Sequence, residues 1–134
     1  MLARAIRRSV PWLMVAVMLL PESASAVTSI DPTSITAHRK PTGVVERGTA
    51  VHIYGKLSSE ERVCIRNSKI KLIRVGTGVI RTTRTGRRGR YAFDIRVRKT
   101  ARYRVRFPGK TVNVVHPNTI VCGASSTGFR IRVR

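Results

Sequence analysis

From Thr49 to the C-terminus, apolar and polar residues alternate one by one, and no stretch shows the spacing of an amphipathic helix. In Thr49–Leu57, Val51, Ile53 and Leu57 fall on one side and His52, Tyr54 and Lys56 on the other. In 69–72, Ile70 and Leu72 point one way and Lys69 and Lys71 the other. Tyr91, Phe93, Ile95 and Val97 share a face, opposed by Asp94, Arg96 and Arg98. Tyr103, Val105 and Phe107 alternate with Arg102, Arg104 and Arg106, and Phe129, Ile131 and Val133 with Arg130, Arg132 and Arg134. Strict alternation over such lengths predicts β-strands with one dry face and one wet face. Weaker strands are expected over 34–37, 78–83 and 111–115. Turn signals separate the runs at 40–43, 47–48, 58–59, 76–78, 86–89, 108–109 and 117–118. About eight short strands at this spacing predict an all-β fold, a sandwich of two antiparallel sheets.

The N-terminus reads differently. Arg4, Arg7 and Arg8 precede an apolar run from Val10 to Leu20, Pro21 and Glu22 end it, and Ala24-Ser25-Ala26 offers small residues for cleavage. A basic start, a short apolar core and an A-x-A end form a secretory signal peptide. The run falls well short of the ~20 residues a membrane-spanning helix needs. Residues 1–26 are therefore expected to be a signal peptide and residues 27–134 one domain, secreted or held in the cell envelope, with no transmembrane segment in the mature chain.

Cys64 and Cys122 are the only cysteines. In an oxidising compartment such a pair is expected to form a disulfide, in preference to two free thiols or a metal pair. Its loop of 58 residues carries a chain-entropy stabilisation of about 4 kcal/mol.

The stretch Val45-Glu46-Arg47-Gly48-Thr49-Ala50-Val51, followed by Gly55-Lys56-Leu57, resembles the opening of bacterial immunoglobulin-like modules. Ile70-Lys71-Leu72-Ile73-Arg74 resembles their next inward strand. Gly89-Arg90-Tyr91-Ala92-Phe93 and Tyr103 to Gly109 resemble their last central strands and turn, and Ile131-Arg132-Val133-Arg134 their terminal strand. The resemblance implies an immunoglobulin-like antiparallel β-sandwich of the kind common in secreted and cell-wall proteins of actinobacteria. Such modules serve mostly as spacers, adhesion units or stalks. Many carry an Asp in the turn before the Gly-x-Tyr, where this chain has Thr85-Gly86-Arg87-Arg88, so a calcium role does not carry over.

Charge sharpens the functional question. The chain has 27 Lys+Arg and 6 Asp+Glu; without Arg4, Arg7, Arg8 and Glu22 the domain keeps 24 and 5, a net charge of +19. Such a charge disfavours the compact state unless anions gather on it. In a sandwich of the expected type the strands near 69–73, 102–107 and 129–134 are neighbours. Their outward residues then form one cationic wall: Lys69, Lys71, Arg102, Arg104, Arg106, Arg130, Arg132 and Arg134. Arg presents a planar fork suited to phosphate and carboxylate, which makes this wall a candidate polyanion site. The alternative is a solvated face whose Arg stems cover apolar surface while their heads stay in water. A secondary basic loop gathers Arg81, Arg84, Arg87, Arg88 and Arg90 around Gly86 and Gly89.

Export and the shortage of outward aromatics disfavour nucleic acid, because single-strand binders need stacking platforms and only Tyr54 is expected to face out. Anionic cell-surface polymers or lipid headgroups fit better, and a protein partner with incidental charge is the alternative. Catalysis is not expected. The acids Asp31, Glu46, Glu60, Glu61 and Asp94 form no spaced pair. Cys64 with His116 and Asn118 mimics a thiol-protease set, yet Cys64 is better used in the disulfide. His38, His52 and His116 lack metal-ligand spacing, and neither cofactor nor metal is expected.

Overall fold

The structure is a computed structural model that describes residues 25–134. The basic start and apolar run of the expected signal peptide lie outside the described residues. The described residues are mostly β-strand: β1 (Thr28–Asp31), β2 (Ser34–Ile35), β3 (His38–Lys40), β4 (Thr49–Ser58), a helical turn α1 (Arg62–Ile65), β5 (Lys69–Arg74), β6 (Gly78–Arg84), β7 (Arg90–Val97), β8 (Ala101–Phe107), β9 (Lys110–Asn113), β10 (Thr119–Cys122) and β11 (Ser125–Ile131). Among the described residues no helix is long and apolar enough to cross a membrane.

Two sheets build the core. One has the strand order β11-β8-β5-β6, with all neighbours antiparallel. In the other, β4 pairs with β7 along one edge and with β2 and then β3 along the opposite edge. The dry faces expected from alternation meet in one cluster: Val51, Ile53 and Leu57 of β4, Ile70 and Leu72 of β5, Tyr91, Phe93, Ile95 and Val97 of β7, Tyr103, Val105 and Phe107 of β8, and Ile131. Each large side chain buried this way contributes roughly 1.5–3 kcal/mol.

A third, small sheet departs from the expected two. β1 runs parallel to β10, and β10 antiparallel to β9. Neither β1 nor β10 alternates in sequence, and β1 and β10 meet across most of the described chain. The Cys64–Cys122 disulfide ties this sheet to the core, with Cys64 fully buried and Cys122 nearly so. Cys64 lies in α1, a turn the strand pattern does not announce. Buried Ser68 and Thr85 hold it: Ser68 Oγ donates to the Cys64 carbonyl at 2.6 Å, Thr85 Oγ1 donates to the Ile65 carbonyl at 2.5 Å and accepts from the Ser68 N–H at 2.8 Å. These hydrogen bonds offset the cost of taking the two hydroxyls out of water.

Of the expected strand at 34–37 only Ser34–Ile35 pairs, as β2, and at Thr36 the chain presses onto β4 before β3 begins at His38. The Thr36 N–H donates to the Lys56 carbonyl at 3.0 Å, and the Thr36 carbonyl accepts a hydrogen bond from the Tyr91 hydroxyl. Gly55 makes room for this approach. A Cβ there would come within 1.9 Å of the Thr36 carbonyl oxygen and 2.6 Å of the Tyr91 hydroxyl. Gly55→Ala is therefore expected to destabilise the domain by ~1–3 kcal/mol, read from the urea midpoint.

Burial pushes the Tyr91 phenol above its ordinary pKa. The folded state thus keeps the proton at a pH where the unfolded chain has lost it. The stabilisation is complete below the unfolded phenol value of about 10 and falls as pH rises through it. Tyr91→Phe is expected to flatten the decline of the urea midpoint between roughly pH 9 and 11.5; an unchanged decline refutes this assignment.

Candidate cationic face

β8 sets the geometry. Tyr103, Val105 and Phe107 are at most 2% exposed, so Arg102, Arg104 and Arg106 must stand on the other face, and all three are exposed. The pairing places Arg130 opposite Arg102, Gly128 opposite Arg104 and Ser126 opposite Arg106 on the β11 side. On the β5 side Ile73 faces Arg104 and Lys71 faces Arg106. Three like-charge pairs therefore sit directly across strands: Arg102–Arg130, Arg106–Lys71 and, one strand further, Lys69–Arg84. No acidic residue occurs in β5, β6, β8 or β11. Among the described residues the ion pairs are His52–Asp94 on the opposite sheet and a long one, 3.9 Å, between Arg134 and Glu46.

The expected wall is thus assembled unevenly. Lys71, Arg102, Arg104, Arg106 and Arg130 are brought together on paired strands. Lys69 pairs with Arg84 of β6, away from β8. Arg132 and Arg134 lie past the end of β11, where Val133 instead bridges Val45 in parallel. The Val45 N–H donates to the Arg132 carbonyl at 3.0 Å and the Arg134 N–H to the Val45 carbonyl at 2.9 Å.

The secondary basic loop does not form one cluster. Leu72 faces Arg81 and Ile73 faces Val79, so β6 carries a bulge at the intervening Ile80, next to Arg81. Arg84 Nη1 donates to the Asn67 carbonyl at 3.2 Å. Arg87 and Arg88 lie in the turn, and Arg90 opens β7 opposite Lys56 on the other sheet. Near Arg84 the structure adds a cation that the loop reading omitted. Lys110 Nζ donates to the Arg66 carbonyl at 2.9 Å, and burial followed by the Arg66 and Arg84 charges hold its pKa below the ordinary lysine value.

Other features emerge only from the fold. A cavity of 580 Å³ is lined by Arg74, Arg96, Arg98 and Lys99, and the Arg74 guanidinium lies 5.7 Å from the Tyr103 ring centre. On the outer face of the β4 sheet, Tyr54 stands between His38 and His52, with ring centres 5.6 and 5.5 Å away. His52 Nδ1 is 2.7 Å from Asp94 Oδ1. The signal for this row was visible as outward Tyr54 and His52; its third ring comes from β3, which the strand pattern did not reveal. Among the described residues no three His, Cys, Asp or Glu side chains gather as metal ligands.

No protein-family model matches the chain, and neither a curated protein nor a solved structure matches it.

The cross-strand repulsion has a measurable consequence. Like charges directly opposite destabilise a sheet by roughly 0.2–1 kcal/mol relative to a neutral pair. Arg102→Gln is expected to stabilise the domain by that order at low salt, read from thermal unfolding, and the gain is expected to shrink as salt screens the pair. Destabilisation at low salt would refute it.

Proposed function

We propose that the mature chain is an exported, non-catalytic immunoglobulin-like β-sandwich module that docks on anionic polymer of the envelope or extracellular matrix through the face built on β8. The observation that carries this reading is the set of like-charge cross-strand pairs on a face whose strands contain no acid. A bound polyanion turns each of these repulsions into a favourable contact. Support for the immunoglobulin-like arrangement comes from the strand order β11-β8-β5-β6 facing β4 and β7, with Val45 joining Val133 in parallel. The buried disulfide and the signal pattern of residues 1–26 support an extracytoplasmic site of action.

A second reading, a module for a protein partner, is favoured by the third sheet. Val27, Ile30, Val114 and Val115 are exposed on it or at its ends, and its strands carry only Asp31 and Lys110 as charges. The cationic face remains the stronger reading because far more of the surface chemistry converges on it.

The test is retention of the mature chain on immobilised heparin and teichoic acid across a salt gradient. Elution is expected to follow the steep log-linear salt law of phosphate-type contacts. Replacing Arg102, Arg104 and Arg106 together by Gln is expected to move elution to clearly lower salt than replacing Arg47, Arg62 and Arg98. Equal shifts would mean that only net charge matters, and passage without retention at low salt would end the polyanion reading.

A further inference from the structure

The cationic face has a relief that its charges alone do not explain. Beside the row Arg102, Arg104, Arg106, the facing positions on β11 are Arg130, Gly128 and Ser126. Glycine and serine leave the sheet surface low there. Two cavities follow the depression: one of 450 Å³ lined by Arg102, Arg104, Gly128 and Arg130 among others, and one of 420 Å³ lined by Arg104, Arg106, Ala124, Ser125 and Ser126. Arg104 borders both, so the two lie in succession along the strands, a trough with Arg104 at its midpoint. β11 is the outermost strand of its sheet, so no further strand pairs along the trough's far side.

The backbone does not demand glycine at 128. Gly128 is outside the left-handed region, and a Cβ added there meets nothing closer than the Tyr103 carbonyl oxygen at 3.5 Å, an ordinary contact. A glycine inside a strand costs ~0.5–1 kcal/mol relative to alanine. Where no bulge or tight bend requires it, such a glycine marks close approach of a ligand or another chain. The outer surface of β11 at Gly128 has nothing else packed on it.

The spacing of the arginines specifies what fits. Outward residues on β8 recur every second residue, ~6.6–6.8 Å apart. Two residues of extended backbone contain six bonds from Cα to Cα. A phosphodiester chain with three carbons between its bridging oxygens also contains six bonds from phosphorus to phosphorus. Extended side by side, the two chains advance in step, one phosphate for each arginine.

Building on the polyanion reading above, we infer that the trough between β8 and β11 binds a linear phosphodiester polymer with three-carbon links, its successive phosphates held by Arg102, Arg104 and Arg106. Arg130 adds a second guanidinium at one end, opposite Arg102. The polymer chain runs over Gly128 and Ser126, where a larger side chain would lift it off the floor. Nucleic acid shares the six-bond repeat, but its bases need open aromatic faces. The aromatics nearest the trough, Tyr103 and Phe129, are stacked on each other with ring centres 5.8 Å apart, and Tyr103 is buried in the core. The base-free polymer is therefore the favoured occupant.

The experiment titrates the mature chain with synthetic glycerol phosphate oligomers of increasing length. Affinity is expected to climb steeply up to three phosphates and then level off, with a log-log salt slope near −2, as three single-strand phosphate contacts require. Ethylene glycol phosphate oligomers, with five bonds between phosphorus atoms, are expected to bind at least threefold more weakly at equal phosphate number. Gly128→Val is expected to lower affinity for the glycerol oligomers at least tenfold, whereas Gly128→Ala, which fits the floor, keeps most of it. Circular dichroism and thermal unfolding verify that both variants fold.

If the wild type is retained on polyanion columns but affinity rises with every added phosphate, or Gly128→Val binds unchanged while folded, the trough is refuted and the broader reading stands. If the wild type is not retained at all, the broader reading falls and takes this inference with it. Oligothymidylate binding tenfold tighter than glycerol oligomers of equal phosphate number would overturn the choice of polymer.

Discussion

Tyr103, Val105 and Phe107 cannot enter the core unless Arg102, Arg104 and Arg106 stand on the far side of β8, because successive residues of a strand point to opposite faces. The magnitudes settle which demand prevails. Burying those three side chains contributes roughly 1.5–3 kcal/mol apiece. The cross-strand repulsion this imposes between neighbouring cations costs about 0.2–1 kcal/mol per pair. The core wins, and a wall of positive charge follows as its geometric by-product. The same reasoning holds for Ile70 and Leu72 against Lys69 and Lys71 on β5. It holds for Phe129 and Ile131 against Arg130 on β11. Adjacency of these strands turns three separate by-products into one surface.

The small third sheet shows a different economy of stabilisation. β1, β9 and β10 contribute few fully buried side chains; Ile30 of β1 is exposed, as are Val27, Val114 and Val115 beside the strands. They are held by backbone pairing, by the Cys64–Cys122 link to α1, and by Val112 and Ile120, which pack half-buried against the core. The helical turn in turn rests on Ser68 and Thr85, whose hydroxyls donate to its Cys64 and Ile65 carbonyls inside the core. A covalent bond and a short polar chain thus supplement a thinner apolar contact in this part of the molecule. The charge divides along the same line, with the cations concentrated on the core sheets and almost none on the third.

How much was legible in the residues depended on the length of each alternating run. β4, β7 and β8 declare themselves through unbroken alternation, and their inward members are the buried ones. β1, β3 and β10 are three or four residues long, too short for a period to repeat, so they were not foreseen. β11 begins at Ser125, earlier than its apolar residues suggest, because Ser125 to Gly128 are recruited by pairing with β8 and not by their own preference. Its expected end at Arg134 gives way to a single bridge between Val133 and Val45. The scattering of the Arg81–Arg90 group has the same origin: a bulge in β6 and a change of sheet at β7 separate residues that are close in the chain.

By itself the sequence determined which side of each long strand is dry, where the positive charge accumulates and which two cysteines are joined. All three are local or compositional: a two-residue period needs no knowledge of neighbours, and two cysteines in an oxidising setting have one partner each. Only the tertiary structure decided that Arg104 looks across at Gly128, that Arg106 meets Lys71, and that Arg132 lies beyond the paired ladder. Register joins residues far apart in the chain through backbone hydrogen bonds that are alike at every position, so side-chain pattern alone leaves it open until the whole core closes.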